Sequence, residues 1–291
     1  MLKAASLTII ALCAFAANSV LARLALEAGE IDAFGYTGVR LASGAAMLGA
    51  ILIVRRPARP RAPGSTYGTW RAAGALFGYA IAFSIAYLML ATGTGALILF
   101  ATVQFGLLGW AVLKGERPAP AEWAGMALAF GSLLYLLSPG LEAPHPLGAA
   151  LMIAAGLCWS VYTVLGQASR APLSDTAGNF LRCLPVALVL AGAGAIAQAP
   201  SGRGLALAVA SGAIASGLGY AIWYLVLPML TRASAAFLQL TVPAIAAAGG
   251  IVFLGEILTE RLAIASAGIL GGVALALLAA ERRRARMAAR T

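Results

Sequence analysis

A chain of 291 residues that is 62% hydrophobic and only 10% charged cannot cover itself with a water-facing surface. Its mean hydropathy is +0.92, and charge-free segments run nearly end to end, so little could fold as a separate soluble domain. The formal net charge of +10 does not point to nucleic acid, because basic residues gather at segment ends and in the tail, where they would meet anionic headgroups.

Ten apolar segments follow one another, each long enough for a helix across a ~30 Å hydrocarbon core. They run near 5–24, 33–54, 70–91, 94–113, 121–138, 147–168, 176–198, 204–227, 233–254 and 261–280. The first has signal-peptide features, Lys3 ahead of an apolar run and small residues from Ala14 to Ala17. Its repeat partner at 147–168 is internal, so segment one is read as a retained helix. Only the link 55–69, with Arg55, Arg56, Arg59, Arg61 and several prolines, is a loop of any size. Thr92-Gly93-Thr94-Gly95 is barely a turn, which makes segments three and four antiparallel neighbours. Cys13, Cys158 and Cys183 all fall inside apolar runs and read as reduced packing residues, not as disulfides or metal ligands. No metal and no cofactor is expected.

Arginine and lysine asymmetry sets the orientation. With the N-terminus in the cytoplasm, fifteen basic residues fall inside, among them Lys3, Arg71, Lys114, Arg117, Arg170, Arg232 and the tail from Arg282 to Arg290. Only Arg23, Arg203 and Arg261 fall outside. Both termini are therefore expected in the cytoplasm of a multi-pass inner-membrane protein.

The chain also repeats itself. Gly78-Tyr79-Ala80-Ile81 returns 141 residues later as Gly219-Tyr220-Ala221-Ile222. Leu113-Lys114-Gly115-Glu116 answers to Phe253-Leu254-Gly255-Glu256 at 140, and Arg40 to Arg182 at 142. A slowly drifting offset marks a tandem duplication, with 1–140 as the first repeat (helices one to five). The second, 141–291, holds helices six to ten and a basic cytoplasmic tail. Five helices per half is an odd number, so the second half enters the membrane upside down. The expected fold class is an all-α membrane protein of ten transmembrane helices in two inverted five-helix repeats. Inverted repeats of this kind are typical of secondary transporters, with the substrate site near the midplane between the halves.

Several residues carry a family resemblance over essentially the whole chain. They are Gly115-Glu116 and Gly255-Glu256 at the ends of segments four and nine, Arg40 and Arg182 in segments two and seven, and Pro243 within segment nine. Together they resemble the EamA type of the drug/metabolite transporter superfamily. Segment four departs from segment nine in having Val103 where Pro243 would fall, so the halves are expected to flex differently. The resemblance implies export or exchange of small metabolites such as amino acids, sugars or drugs. Within the family the chain most resembles bacterial amino-acid exporters, the aromatic amino-acid branch among them.

A cavity should show polar and aromatic groups stranded at mid-helix depth. Tyr79 and Phe83 share one face of helix three at i, i+4, and their mates Tyr220 and Tyr224 do the same on helix eight. Trp159 and Tyr162 on helix six add a third wall, and Phe15 with Asn18 on helix one a fourth. Gln104 and Gln239 supply amides from helices four and nine. These ten residues are the candidate substrate-binding set. Trp70, Trp110 and Trp123, nearer helix ends, read as interfacial anchors.

None of the ten carboxylates is placed mid-helix, and the single histidine, His145, falls in a loop. A proton relay would use such groups inside helices, so uncoupled export or exchange is favoured; a sodium site of carbonyls and hydroxyls stays open. An intramembrane enzyme would need a clustered catalytic set, which is missing. A channel would show polar rings along its length, whereas the polar groups here gather around one depth. The remaining partners are a small-molecule substrate and the bilayer, with a monomer favoured. Lastly, inverted symmetry puts Arg40 level with Glu256 and Arg182 level with Glu116. Two gating pairs are expected from it, against the alternative that both arginines snorkel to headgroups.

Overall fold

The computed structural model describes residues 2–55, 67–167, 169–230 and 232–288. Arg56, Arg59 and Arg61 of the long loop, and Arg290 of the tail, lie outside the described residues, as do the side chains of Lys3, Arg232, Arg284 and Arg286. Among the described residues all regular structure is helical, in ten helices. Nine are long and apolar enough to cross a bilayer, and the tenth is a shorter apolar helix.

In chain order, α1 is Leu2–Glu27, α2 Ala33–Arg55, α3 Trp70–Ala86, α4 Thr92–Leu113 and α5 Pro120–Leu137. The second half gives α6 Pro146–Gly166, α7 Pro172–Ala197, α8 Gly202–Met229, a broken α9 and α10 Glu260–Ala288. Helix α3 stops five residues short of the expected 70–91, because Tyr87 turns inward. Its ring packs edge-on against Phe83 at 4.7 Å and its hydroxyl donates to the Thr92 carbonyl at 3.3 Å. Helix α4 then begins at Thr92, two residues early, with its first amide held by Glu256 at 2.8 Å. A carboxylate there satisfies an orphan donor and faces the positive end of the helix dipole. Helix α7 also begins early, four residues ahead of the expected 176, with Pro172 in its first turn.

The second half carries two irregularities that the first lacks. Helix α8 widens to π geometry over Ala210–Leu218 between α-helical flanks and ends in a 3-10 turn at Leu227–Met229. Helix α9 is not the single segment expected at 233–254 but two pieces, Arg232–Gln239 and Val242–Leu254. Proline explains the break: Pro243 has no N–H, and its ring would collide with the carbonyl four residues back, that of Gln239. With Val103 at the matching place, α4 runs unbroken.

Helix packing follows the repeat. Helices α2 and α7, α4 and α9, and α5 and α10 pack against each other as repeat mates. Other contacts come in swapped couples: α3–α6 with α8–α1, α4–α6 with α9–α1, and α3–α7 with α8–α2. An axis relating the two halves produces that pattern. Lipid supplies no hydrophobic drive between helices, so close backbone approach must hold them. A Cβ on Gly38 of α2 would strike the Ala187 carbonyl of α7, and Gly125 and Gly272 press α5 onto α10 in the same way. Large side chains such as Ile196, Val252 and Leu188 point outward, where hydrocarbon replaces water.

The repeated Gly-Glu has a local cause. Gly115 and Gly255 both sit at left-handed φ, +86° and +68°, just past the ends of α4 and α9. Glycine takes this conformation without a Cβ penalty, and it lets the next amide return into the last turn. Glu116 donates to the Ala111 carbonyl and Glu256 to that of Gly250. Each cap thereby delivers a carboxylate to one end of the bundle.

Candidate functional site

Seven helices (α1, α3, α4, α6, α7, α8 and α9) enclose a cavity of about 450 Å³ between the halves. Nine of the ten candidate residues line it: Phe15, Asn18, Tyr79, Phe83, Trp159, Tyr162, Tyr220, Tyr224 and Gln239. Gln104 does not; it is half-buried on α4, where Leu99, Phe100 and Val103 form the wall instead.

Trp159 is the centre of the aromatic wall. Its ring lies 4.7 Å from Tyr79, 5.2 Å from Tyr162 and 5.8 Å from Tyr220, the last nearly parallel at 19°. The repeat-related tyrosines of α3 and α8 therefore flank one indole from α6. Ring pairs of this kind contribute about 0.5–1.5 kcal/mol each beyond buried area. Phe15 closes against Tyr220 at 5.6 Å.

Asn18 is fixed through α8. Its Oδ1 accepts from Ser211 at 2.8 Å and from Ser216 at 3.2 Å. These serines are five residues apart, a spacing that only the wider π turn brings to one face. The break in α9 leaves Gln239 at the end of its first piece, in the wall.

At one end the cavity reaches the bundle surface where α3 and α7 begin and α6 ends, lined there by Gly68, Thr69, Gly166, Gln167 and Ser169. Asp175 and Asn179, one turn apart on α7, hold that rim. Asp175 accepts from the Gly68 amide at 2.9 Å and from Ser169 at 2.6 Å, and Asn179 accepts from the Thr69 amide at 2.9 Å. Thr176 between them meets the hydroxyls of Tyr162 at 3.3 Å and Tyr224 at 3.0 Å. The expected segment 176–198 left out Asp175, which lies in the first turn of α7 after Pro172, while Thr176 and Asn179 fell inside that segment without being among the candidate residues.

At the other end the wall stops short of the surface. There Glu256 accepts from the Thr92 amide at 2.8 Å and the Thr92 hydroxyl at 2.9 Å, and Arg23 approaches it at 3.7 Å. Arg23 also donates to Glu27 at 2.6 Å and to the Tyr87 carbonyl at 3.1 Å. A separate recess of about 380 Å³ lies beyond this closure, lined by Met89, His145, Glu256 and Thr259.

Neither expected gating pair forms. Glu256 takes Arg23 and Thr92 in place of Arg40, and Glu116 takes Arg283 at 3.2 Å in place of Arg182. Both carboxylates still tie one half to the other. Arg182 donates to the carbonyls of Tyr67 and Gly178, laying the segment before α3 onto α7. Arg40 does not snorkel: it is 3% exposed, donates to the Tyr79 hydroxyl at 3.0 Å, and lies 4.8 Å from the Phe83 ring centre. Burying a charge costs several kcal/mol even after relaxation. Cation–π contact returns about 2 kcal/mol when desolvated, and the hydrogen bond roughly 1–2 kcal/mol. The arginine reaches inward because Tyr79 and Phe83 present their rings to α2, an arrangement set by helix packing.

Trp70, Trp110 and Trp123 are exposed near helix ends, with Lys114 over the Trp110 ring at 4.8 Å. The three cysteines are free; Cys183 is buried, Cys158 half-buried and Cys13 exposed.

Comparison with known proteins agrees with this architecture. The model of the EamA-like transporter family matches residues 146–278. An uncharacterized protein of Pseudomonas aeruginosa is 50% identical over 273 residues, 93% of each chain. The threonine/homoserine exporter RhtA is 34% identical in Salmonella typhimurium and 32% in Escherichia coli K12, each over 162 residues; that match spans 53%, about half, of each chain. A protein of known crystal structure, 27% identical, superimposes with a TM-score of 0.63 over 96% of this chain and 99% of its own. With ten helices in two inverted halves around a cavity, and these relatives, the chain belongs to the EamA-like transporter family of the drug/metabolite transporter superfamily.

Proposed function

We propose that the protein is a secondary transporter of the bacterial inner membrane that exports or exchanges small metabolites, amino acids foremost, by alternating access. The observation that carries this reading is the cavity itself: aromatic-walled, between the halves, reaching the surface at one end and sealed at the other by Glu256, Thr92 and Arg23. A conducting channel would run through, whereas this cavity and the recess beyond it are separate. Similarity to the threonine/homoserine exporters supports amino acids as the substrate class. The nine wall residues, Tyr79, Trp159 and Tyr220 at their centre, are the proposed substrate contacts.

With both termini in the cytoplasm, the open end faces inward, the loading side for export. Transport without proton coupling is favoured because, among the described residues, the wall carries no carboxylate at mid-depth; Asp175 belongs to the rim. Reconstituting the protein in vesicles loaded with labelled threonine and phenylalanine tests the proposal. Efflux that saturates and is unchanged by a collapsed proton gradient is expected. Channel-like flux rates, or no flux of either amino acid, would contradict it.

A further inference from the structure

The wall residue Tyr79 and the buried Arg40 behind it form a unit that the cavity as described leaves without a role. Arg40 is 3% exposed, and among the described residues no carboxylate pairs with it. Its contacts are the Tyr79 hydroxyl at 3.0 Å and the ring faces of Tyr79 and Phe83, at 5.3 and 4.8 Å. Its Nη1 is buried with no hydrogen-bond partner. A guanidinium carries five donors and a full charge, so a buried one without an anion is incomplete in both respects. Tyr79 accepts from Arg40, which leaves its own O–H proton to donate, and no described group accepts it. A phenol that already accepts from a cation is a stronger donor to an anion.

We propose that Arg40 and Tyr79 are the carboxylate-recognition element of the cavity, with the Tyr79 hydroxyl as the contact and Arg40 as the buried counter-charge. The inference rests on the amino-acid transport reading above and deepens it by assigning the pole that binds the acid group. The cavity is electrically polar in the matching sense. Its deep end is positive through Arg40, and Asp175, the one carboxylate among the described wall residues, stands at the rim. A zwitterion enters carboxylate first and keeps its ammonium toward the rim, with its side chain on the Trp159 and Tyr220 rings. Arg40 hydrogen-bonds Tyr79 and not its repeat mate Tyr220, and Arg182 donates to the Tyr67 and Gly178 carbonyls instead. Recognition is therefore one-sided within a two-fold frame.

The test compares efflux of L-phenylalanine and L-threonine with efflux of their amides, which keep the ammonium and lose the carboxylate. The full-length protein in vesicles is expected to prefer each acid by about tenfold to a hundredfold, the range of a hydrogen bond to a charged group. Tyr79→Phe and Arg40→Gln are expected to bring that ratio near unity, with acid flux falling far more than amide flux. Arg40→Lys should keep part of the preference. If Arg40→Gln does not fold, Tyr79→Phe decides, since it preserves the ring and the wall. Equal flux of acid and amide in the unaltered protein, or an undiminished preference in Tyr79→Phe, overturns the assignment while leaving amino-acid transport standing. Absence of flux of either acid in the unaltered protein overturns the transport reading and this assignment together.

Discussion

The two ends of the cavity use carboxylates in opposite ways. At the closed end, Glu256 of α9 joins three elements, capping α4 at Thr92 and meeting Arg23 of α1. At the open end, Asp175 and Asn179 both belong to α7 and hold the short segment at Gly68 and Thr69, with Ser169 also on Asp175. Glu116, the repeat mate of Glu256, turns instead to Arg283 at the edge, together with Glu122. The same Gly-Glu cap thus seals one end and leaves the other open. At the offset of 140 residues, the mate of Thr92 is residue 232, at the start of α9. A state closed at the opposite end is expected to bring Glu116 over that helix start, as Glu256 now covers the start of α4.

The comparison breaks most visibly at Glu256. Glu256→Gln removes a carboxylate that accepts three hydrogen bonds, an effect of about 2 kcal/mol, or roughly thirtyfold in the open-to-closed population. Cysteine placed at Ser19, in the cavity wall, is expected to react with an impermeant thiol reagent only from the open end, and from both sides once Glu256→Gln is added. Unchanged one-sided labelling would show that the carboxylate does not hold the closure.

Trp159 belongs to neither end and should matter in both states. Trp159→Ala is expected to lower flux about tenfold, some 1.4 kcal/mol of lost contact, with folding retained. Trp123→Ala, half exposed on α5, is expected to leave flux unchanged. Equal losses in the two variants would argue against a wall centred on Trp159.

At the open rim, Gly68 sits at φ +72° with the Asn179 side chain close by. Gly68→Ala is expected to cost about 1–2 kcal/mol through the left-handed backbone, read as a lower melting temperature. The smallest effect belongs to Glu116→Gln. In this state Arg283 keeps Glu122 at 2.7 Å, so the change in stability should stay within about 0.5 kcal/mol. Its bias on which end opens should nevertheless run opposite to that of Glu256→Gln.

The architecture was legible in the sequence because it rests on long-range regularities. Segment length, an odd number of helices in each half and a steady repeat offset determine an inverted bundle whatever the local detail. The aromatic wall was legible because i, i+4 spacing on α3 and its repeat on α8 place rings on facing helices. What escaped depended on contacts between helices. Arg40 could be placed at a depth, but whether it reaches Glu256 or Tyr79 is decided by how α2 packs on α3. The π stretch of α8 escaped because serines five apart look unrelated at α-helical spacing, and Asp175 of the rim because Pro172, which opens the first turn of α7, lies ahead of the expected 176–198. Pro243 was seen, yet its consequence, a broken α9 with Gln239 at the break, follows only from tracing the missing amide and the displaced carbonyl.

The central claim is that the two ends open in alternation. Spin labels at Leu88 and Ile257 would report the closed end, and labels at Arg71 and Met229 the open end, all four positions being exposed. Distance distributions measured by pulsed electron resonance, with and without amino acid, test the coupling directly. Widening at one end is expected to accompany narrowing at the other, with Glu256→Gln and Glu116→Gln shifting the populations in opposite directions. Ends that widen together, or that move independently of each other, would contradict alternating access.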